Sequence, residues 1–276
     1  MTVLEVLKLA ADHIAKRAPG SPRLDAEVLL ANSLGLRRLD LYLKFDRPLT
    51  EAELTTYRAL VARRAKGEPV AYLVGHKEFM GLDFEVTPAV LIPNPDTEVL
   101  VQRAVEIARE SGRPLRVADV GTGSGCIAIA IAHYAPNVEV VASDITVDAL
   151  EVAARNVAAH DMAGRIQLVC GDLMAPFVGS FDLVCANLPY VAEGSALAPE
   201  VVAQPARALY AEANGSALVS RLLAQAPARL NPGGRALAEL DPSIAVSAVD
   251  VANQNFAGHR IHSDLAGHQR VLEAWS

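Results

Sequence analysis

The feature that most constrains this chain is a glycine-rich turn, Val120-Gly121-Thr122-Gly123-Ser124-Gly125, set between an apolar run at 115–119 and an apolar stretch that begins at Cys126. Short apolar runs bounded in this way read as a buried strand followed by a buried helix, so the glycines fall where a first strand turns into a first helix. Glycine at such a turn reaches backbone conformations that other residues resist, and its missing side chain lets a ligand come close to the chain. Backbone N–H groups at a helix start after a strand form a natural nucleotide-type site.

The surrounding pattern supports that reading. From about residue 96 onward, helical stretches alternate with strand-like runs at 115–119, 139–144, 166–170, 181–186, 235–239 and 270–274. This alternation predicts a parallel sheet with helices on both faces, a doubly wound α/β Rossmann-like domain. The loop spacing is G-x-G-x-G, with Cys126 where the dinucleotide fingerprint has its third glycine, which favours S-adenosylmethionine over a nicotinamide dinucleotide. Asp144 ends the second strand, where a carboxylate can accept ribose hydroxyls, and Asp172 follows the third, where it can meet an adenine edge.

The fourth strand delivers Asn187-Leu188-Pro189-Tyr190 to the same edge. An amide or exocyclic nitrogen is a poor nucleophile because its lone pair is delocalised, so it must be held and polarised for methylation. The Asn187 side-chain oxygen and the Leu188 backbone carbonyl can accept both N–H bonds of a planar NH2 group. Pro189 stiffens the turn, and Tyr190 offers a flat face to the target group. Such a site also suits an exocyclic nitrogen such as adenine N6, which stays open as an alternative acceptor.

The first seventy or so residues differ in character. Thr2 with Glu5 and Thr50 with Glu53 make capping boxes, and Leu4, Leu7, Ala11 and Ile14 recur at helical spacing. Ser21-Pro22 opens another helix that ends at Gly35. Around Gly81, the residues Phe79, Leu82, Phe84 and Val86 read as a hairpin, followed by Pro88, Pro93 and Pro95. The expected organisation is a helical domain at 1–73, a hairpin linker at 74–95 and a methyltransferase domain at 96–276.

Charge and cysteine usage narrow the partners. With 25 Lys and Arg against 32 Asp and Glu, the net charge of −7 draws no polyanion to the chain as a whole, so stable nucleic-acid binding is not expected. Arg37, Arg38, Arg58, Arg63, Arg64 and Lys66 read first as solvated helix surface and second as a basic docking face. Three cysteines, Cys126, Cys170 and Cys185, lie in apolar runs that suit buried thiols in a reducing compartment. Residues 1–11 carry Glu5 and Lys8 and lack a signal-peptide core, and no run approaches the roughly 18 apolar residues of a membrane span. The histidines share no ligand spacing, so no metal site is expected. A cytoplasmic monomer without a membrane association is the expectation.

Taken together, VADVGTGSGCIAIAIA, ASDITVDALEVAARN, GDL and NLPY resemble the HemK/PrmC family of protein-(glutamine-N5) methyltransferases. RLDAEVLLANSLGL resembles that family's N-terminal helical domain, GEPVAYLVGHKEFMGLDFEVTPAVLIP its hairpin linker, and DLAGHQRVLEAW its closing strand. The resemblance implies a class I methyltransferase fold and transfer of methyl from S-adenosyl-L-methionine to the glutamine of the Gly-Gly-Gln motif in peptide chain release factors, with S-adenosyl-L-homocysteine as product. It implies that Asp119, Gly121, Thr122, Gly123, Ser124, Gly125, Asp144, Asp172, Leu173 and Asn187 line the cofactor. Asn187, Leu188, Pro189 and Tyr190 would hold the glutamine, and the helical domain would grip the release factor. Three positions depart from the family's usual pattern: Leu188 replaces a proline, Asn94 an arginine, and Leu173 an aromatic residue.

Overall fold

The computed structural model describes residues 1–18 and 20–276, which divide into two compact units. The smaller comprises Met1–His76 with Ala196–Gln204, and the larger comprises Lys77–Ser195 with Pro205–Ser276.

The smaller unit contains α1 (Val3–Ala15), α2 (Pro22–Leu34), α3 (Arg38–Leu43), α4 (Glu51–Arg64) and α5 (Val70–Val74). Both capping boxes form: the Thr2 hydroxyl accepts the Glu5 N–H at 3.3 Å while the Glu5 carboxylate accepts the Thr2 N–H at 2.9 Å, and Thr50 with Glu53 repeats the exchange. Gly35 closes α2 in the left-handed conformation. Val3, Leu7 and Ile14 pack with Leu29, Leu30, Leu54 and Tyr57 into one apolar core. Tyr57 buries its ring and donates its hydroxyl to the Ala26 carbonyl at 3.0 Å, so no polar atom is lost inside.

Arg64 departs from the expected solvated face. It is 2% exposed, with Nε on Asp25 at 2.7 Å and NH2 on Glu200 at 2.6 Å. A buried guanidinium needs such carboxylates around it. Glu200 comes from the distant 196–204 segment, so no local pattern at residue 64 could reveal the pairing. Arg63 pairs with Glu68 and Arg37 with Asp40, which neutralises much of the remaining basic character.

In the larger unit, β1 (His76–Phe79) and β2 (Leu82–Glu85) meet at Met80-Gly81, both at positive φ, as a two-residue hairpin loop demands. Phe79 and Phe84 stack edge to face, 6.3 Å apart, inside the core that also holds the central sheet's inner face. The hairpin read as a linker is therefore anchored in this unit.

The sheet is built from β3 (Leu115–Val120), β4 (Val138–Asp144), β5 (Ile166–Cys170) and β6 (Phe181–Ala186), joined later by strands from the last fifty residues. Around it run α6 (Glu98–Ser111), α7 (Cys126–Tyr134) and α8 (Val147–Ala159). Beyond β6 in the chain come the short β7 (Val191–Ala192), then α9 (Pro199–Val202), which belongs to the smaller unit, and α10 (Ala206–Leu209) and β8 (Tyr210–Ala211). The chain finishes with α11 (Ala217–Gln225), β9 (Leu230–Glu239), α12 (Ala245–Asn255), β10 (Gly258–Ser263) and β11 (Gln269–Trp275).

The strand order is β10-β11-β9-β6-β3-β4-β5. From β5 to β9 every neighbouring pair is parallel, and β11 runs antiparallel against both β9 and β10. The chain reverses its direction of winding between β3 and β6, and ligands in open α/β sheets bind at that switch. α7 reads Cys-Ile-Ala-Ile-Ala-Ile-Ala, and all seven residues are buried. Each isoleucine removed from water contributes about 1.5–3 kcal/mol, which fixes this helix under the loop it follows.

Two differences from the sequence reading concern sheet edges. β10 carries no buried residue, so Gly-His-Arg-Ile-His-Ser shows neither an apolar run nor a one-sided alternation. Cys170, expected to be buried, is exposed because β5 is the outer strand and buries Ile166 alone. Cys126 and Cys185 are buried, and burial pushes the Cys126 thiol up to about 12. No helix among the described residues is long and apolar enough to cross a membrane.

Candidate functional site

The sheet register sets a row of residues at its carboxyl edge. Val120 pairs with Ser143 on one side and Ala186 on the other, and Ala186 pairs with Ala238. The residues that follow these four are Gly121, Asp144, Asn187 and Glu239, so all four leave the sheet side by side. In front of the row lies a cavity of about 430 Å³, of a size for a nucleoside-class ligand.

One wall is the glycine loop. Gly121, Gly123 and Gly125 have φ of 75°, 54° and 82°, values that carry strain for any residue with a Cβ. At Gly121 the space is closed as well: a Cβ would sit 2.9 Å from Leu188 Cδ2. At Gly123 it would meet nothing within 4 Å, so this backbone lies open. The N–H groups of Gly121 and Thr122 donate to the Ser143 carbonyl at 2.9 and 2.8 Å, and that of Gly123 donates to Asp144 Oδ2 at 3.0 Å. Asp144 Oδ1 accepts the N–H and hydroxyl of Thr146, both at 3.0 Å, and Oδ2 keeps a lone pair for a ligand hydroxyl.

Several predicted residues line the cavity: Gly121, Thr122, Gly123, Ser124, Asp144, Asp172, Leu173, Asn187, Leu188 and Pro189 all do. Asp119, Gly125 and Tyr190 are outside its wall. Asp119 is fully buried and holds the loop through its Oδ2, which accepts the Thr122 hydroxyl at 2.6 Å and the Ala128 N–H at 3.2 Å. Burial pushes its carboxyl up to about 7. Gly125 caps α7 in the left-handed conformation, with a Cβ position only 3.3 Å from Ile129. Tyr190 turns its hydroxyl to Glu239 Oε1 at 3.3 Å, and burial pushes its phenol up.

Asp172 pairs with Arg221 of α11 at 2.6 Å, both side chains about half exposed, and Arg221 lines the cavity too. Leu173 stands at φ 45° with its side chain buried, so the apolar surface expected beside a purine is present without an aromatic ring. Leu188 is buried against Gly121, and Asn94 accepts the Asp96 N–H at 3.2 Å, capping the short 3-10 turn Pro95–Thr97.

That turn matters because Thr97 reaches Asn187. The Asn187 Nδ2 donates to Thr97 Oγ1 at 3.0 Å, which leaves the amide oxygen as the free acceptor. A further residue absent from the sequence reading is Asn156, 2% exposed, whose Nδ2 donates to the Ser124 and Glu85 carbonyls at 2.8 and 3.0 Å. Its Oδ1 accepts the Glu85 N–H at 2.8 Å, tying the hairpin to the glycine loop. The signal for both was a polar residue inside an apolar stripe: Asn156 on the buried face of α8, and Glu239 in the buried end of β9. Among the described residues, no group of three or more His, Cys, Asp or Glu is gathered to hold a metal ion.

Residues 5–75 match the PrmC N-terminal domain and residues 95–217 the methyltransferase small domain. Among solved structures, the 16S rRNA N2 G1207 methyltransferase of T. thermophilus, in complex with AdoMet and guanosine, shares the fold. Its TM-score is 0.55 at 18% identity, over 73% of this chain and 49% of that one. Two curated proteins named release factor glutamine methyltransferase align almost end to end. That of Rhodopirellula baltica is 40% identical over 98% of this chain and 95% of its own, and that of Moorella thermoacetica 38% over 100% and 99%. With both domains matched and relatives of this identity covering its whole length, the chain belongs to the release factor glutamine methyltransferase family.

Proposed function

We propose that this chain methylates the side-chain amide nitrogen of the glutamine in the Gly-Gly-Gln motif of a peptide chain release factor, using S-adenosylmethionine. The observation that carries this reading is the polarity of Asn187: its NH2 is engaged by Thr97, so its oxygen is the end available to an incoming amide NH2. The cofactor fits the residues present. The open backbone at Gly123, the spare lone pair of Asp144 and the apolar surfaces of Ile145, Ala149 and Leu173 suit a methionyl chain, a ribose and a purine in turn. When bound, S-adenosylmethionine supplies an electrophilic methyl on a sulfonium.

The chain's own residues then handle the nucleophile. Asn187 Oδ1 and the Leu188 carbonyl accept the two N–H bonds of the target amide and aim its nitrogen, which converts an encounter into a held geometry. Their dipoles also stabilise the positive charge that grows on nitrogen as its lone pair is used. Pro189 keeps the turn rigid, and Tyr190 braces it. The apolar lining excludes water that would compete for the same acceptors. The helical N-terminal unit grips the release factor, and the enzyme acts as a cytoplasmic monomer without stable nucleic-acid contacts, in keeping with its net charge of −7.

The test is transfer of labelled methyl to a purified release factor, with a glutamine-substituted loop as control. Label on the unaltered factor alone is the expected result. No label on either, with the cofactor still bound, would move the reaction to a different amide or amine.

A further inference from the structure

Four charged side chains line the cavity: Asp144, Asp172, Arg207 and Arg221. Three of them are committed within the protein. Asp144 accepts the Gly123 N–H and both donors of Thr146, and Asp172 and Arg221 pair with each other. Arg207 is exposed and has no hydrogen bond or ion pair among the described residues. A guanidinium keeps its charge at every working pH and presents five N–H donors in a plane, so an uncommitted one in a binding cavity is available to a ligand.

The chain around Arg207 is laid against the acceptor motif. Arg207 lies in α10, and the residues just after that helix, Tyr210 and Ala211 of β8, pair in parallel with Val191 and Ala192 of β7, which directly follow Tyr190. A little further on, Ala213, Asn214 and Gly215 stand in succession at φ of 52°, 55° and 91°, and a Cβ on Gly215 would fall on the Tyr190 carbonyl oxygen. Left-handed backbone at an alanine is strained and persists only where its surroundings fix it, so this segment is held against Tyr190. Pro205, Arg207, Ala208 and Tyr210 all line the cavity, which makes residues 205–210 part of its wall beside the acceptor tetrapeptide.

The chemistry of the acceptor says what Arg207 would meet there. In the proposed transfer the two N–H bonds of the glutamine amide go to Asn187 and Leu188. The main chain that carries the glutamine remains, and in Gly-Gly-Gln the two preceding residues have no side chains to cover their carbonyls. A planar fork of N–H donors suits such exposed carbonyl oxygens, which accept without carrying a charge.

We propose that Arg207 is an acceptor-binding residue, whose guanidinium donates to main-chain carbonyls of the peptide segment that carries the glutamine. The proposal rests on the reading that this chain methylates such a glutamine.

The experiment measures methyl transfer to a purified release factor for the wild type, Arg207→Ala and Arg207→Lys, with cofactor affinity followed by titration and the kinetics repeated at about 0.05 and about 0.5 M salt. Arg207→Ala should raise KM for the release factor about 10- to 30-fold, while kcat and S-adenosylmethionine affinity change less than about twofold, because the lost contact is made equally before and during transfer. Arg207→Lys, a point donor without the fork, should recover only part of that loss. The ratio of the Arg207→Ala KM to that of the wild type should hold within about twofold between the two salt concentrations, since neutral carbonyls are the partners.

Wild-type KM in Arg207→Ala overturns the proposal. So does a loss of cofactor affinity with KM unchanged, which would give the guanidinium to the cofactor's carboxylate. A fall in kcat alone would assign it to the reacting amide, and a KM ratio that collapses in high salt would assign it to an acidic side chain; either result overturns the carbonyl assignment. Arg207 is exposed and holds no other residue in place, so its replacement does not put folding at stake. A wild type that methylates no release factor removes the proposed function itself, which is distinct from a variant that matches an active parent.

Discussion

The two walls of the cavity are built by different means. The cofactor wall is mostly backbone: three left-handed glycines, N–H groups returned to the Ser143 carbonyl, and one carboxylate, Asp144, within about twenty residues of the loop it ties. The acceptor wall is held by side chains drawn from far apart: Asn187, in the wall, is held by Thr97 ninety positions away, and behind the wall Tyr190 is held by Glu239 forty-nine away. A backbone-built wall takes its shape from local sequence, with glycines where the turn needs positive φ. A wall held by side chains from far along the sequence can be altered by one distant change, such as loss of the Thr97 hydroxyl that holds the Asn187 amide.

The sharpest test of that contrast is Asn187→Ala. It removes the acceptor while the loop and Asp144 stay in place, so kcat should fall by about a thousandfold with cofactor affinity little altered. Single-turnover methyl transfer alongside equilibrium cofactor binding separates the two. Equal losses in both would mean that the walls are one device.

Asn156→Ala attacks the cofactor wall from behind. It strips the Ser124 carbonyl and both Glu85 backbone groups of their buried partner, which should cost about 2–4 kcal/mol of stability in urea unfolding and loosen cofactor binding with it. Asp144→Ala should spare stability and weaken cofactor affinity by about 10- to 100-fold, through the lost hydroxyl contact and the freed Gly123 N–H, as titration would record. If Asn156→Ala destabilised the protein with cofactor affinity unchanged, the hairpin clamp would serve folding alone.

The contrast also explains how much of the molecule could be read from its residues. The capping boxes, the glycine loop, Asp144 and the Asn187 tetrapeptide are local patterns, each with a physical reason within a few residues, and each could be identified without coordinates. Arg64 reads from the sequence as solvated surface, and Thr97, Asn156 and Glu239 carry no local mark of a role, because a buried polar residue is defined by its partner, and each partner lies dozens of positions off. Cys170 and β10 were misread or missed for a related reason. Whether an apolar strand is covered, and whether a polar one pairs, depends on its place in the sheet, which only topology decides.

Asp119, beneath the cofactor wall, gives that wall a pH signature. Its carboxyl is raised by burial from 3.8 to about 7, so the folded chain holds the proton more tightly than the unfolded one. Its contribution to stability is complete below 3.8 and is lost as pH rises through about 7. Thermal melts should show the protein less stable at pH 8 than at pH 5, and Asp119→Asn should narrow that difference. A difference of unchanged size in the variant would remove Asp119 as its source.

Arg221→Ala is the smallest change expected. Its ion pair with Asp172 crosses the cofactor side of the cavity, yet both side chains are about half exposed and screened by water. Such a pair is worth less than about 1 kcal/mol, so stability should hardly move and cofactor affinity should change by no more than about fivefold. Raising the salt concentration should shrink even that effect, because exposed pairs are screened. A loss as large as that of Asp144→Ala would mean that a side-chain pair governs the cofactor wall after all, and the division between a backbone-built wall and one held by distant side chains would no longer hold.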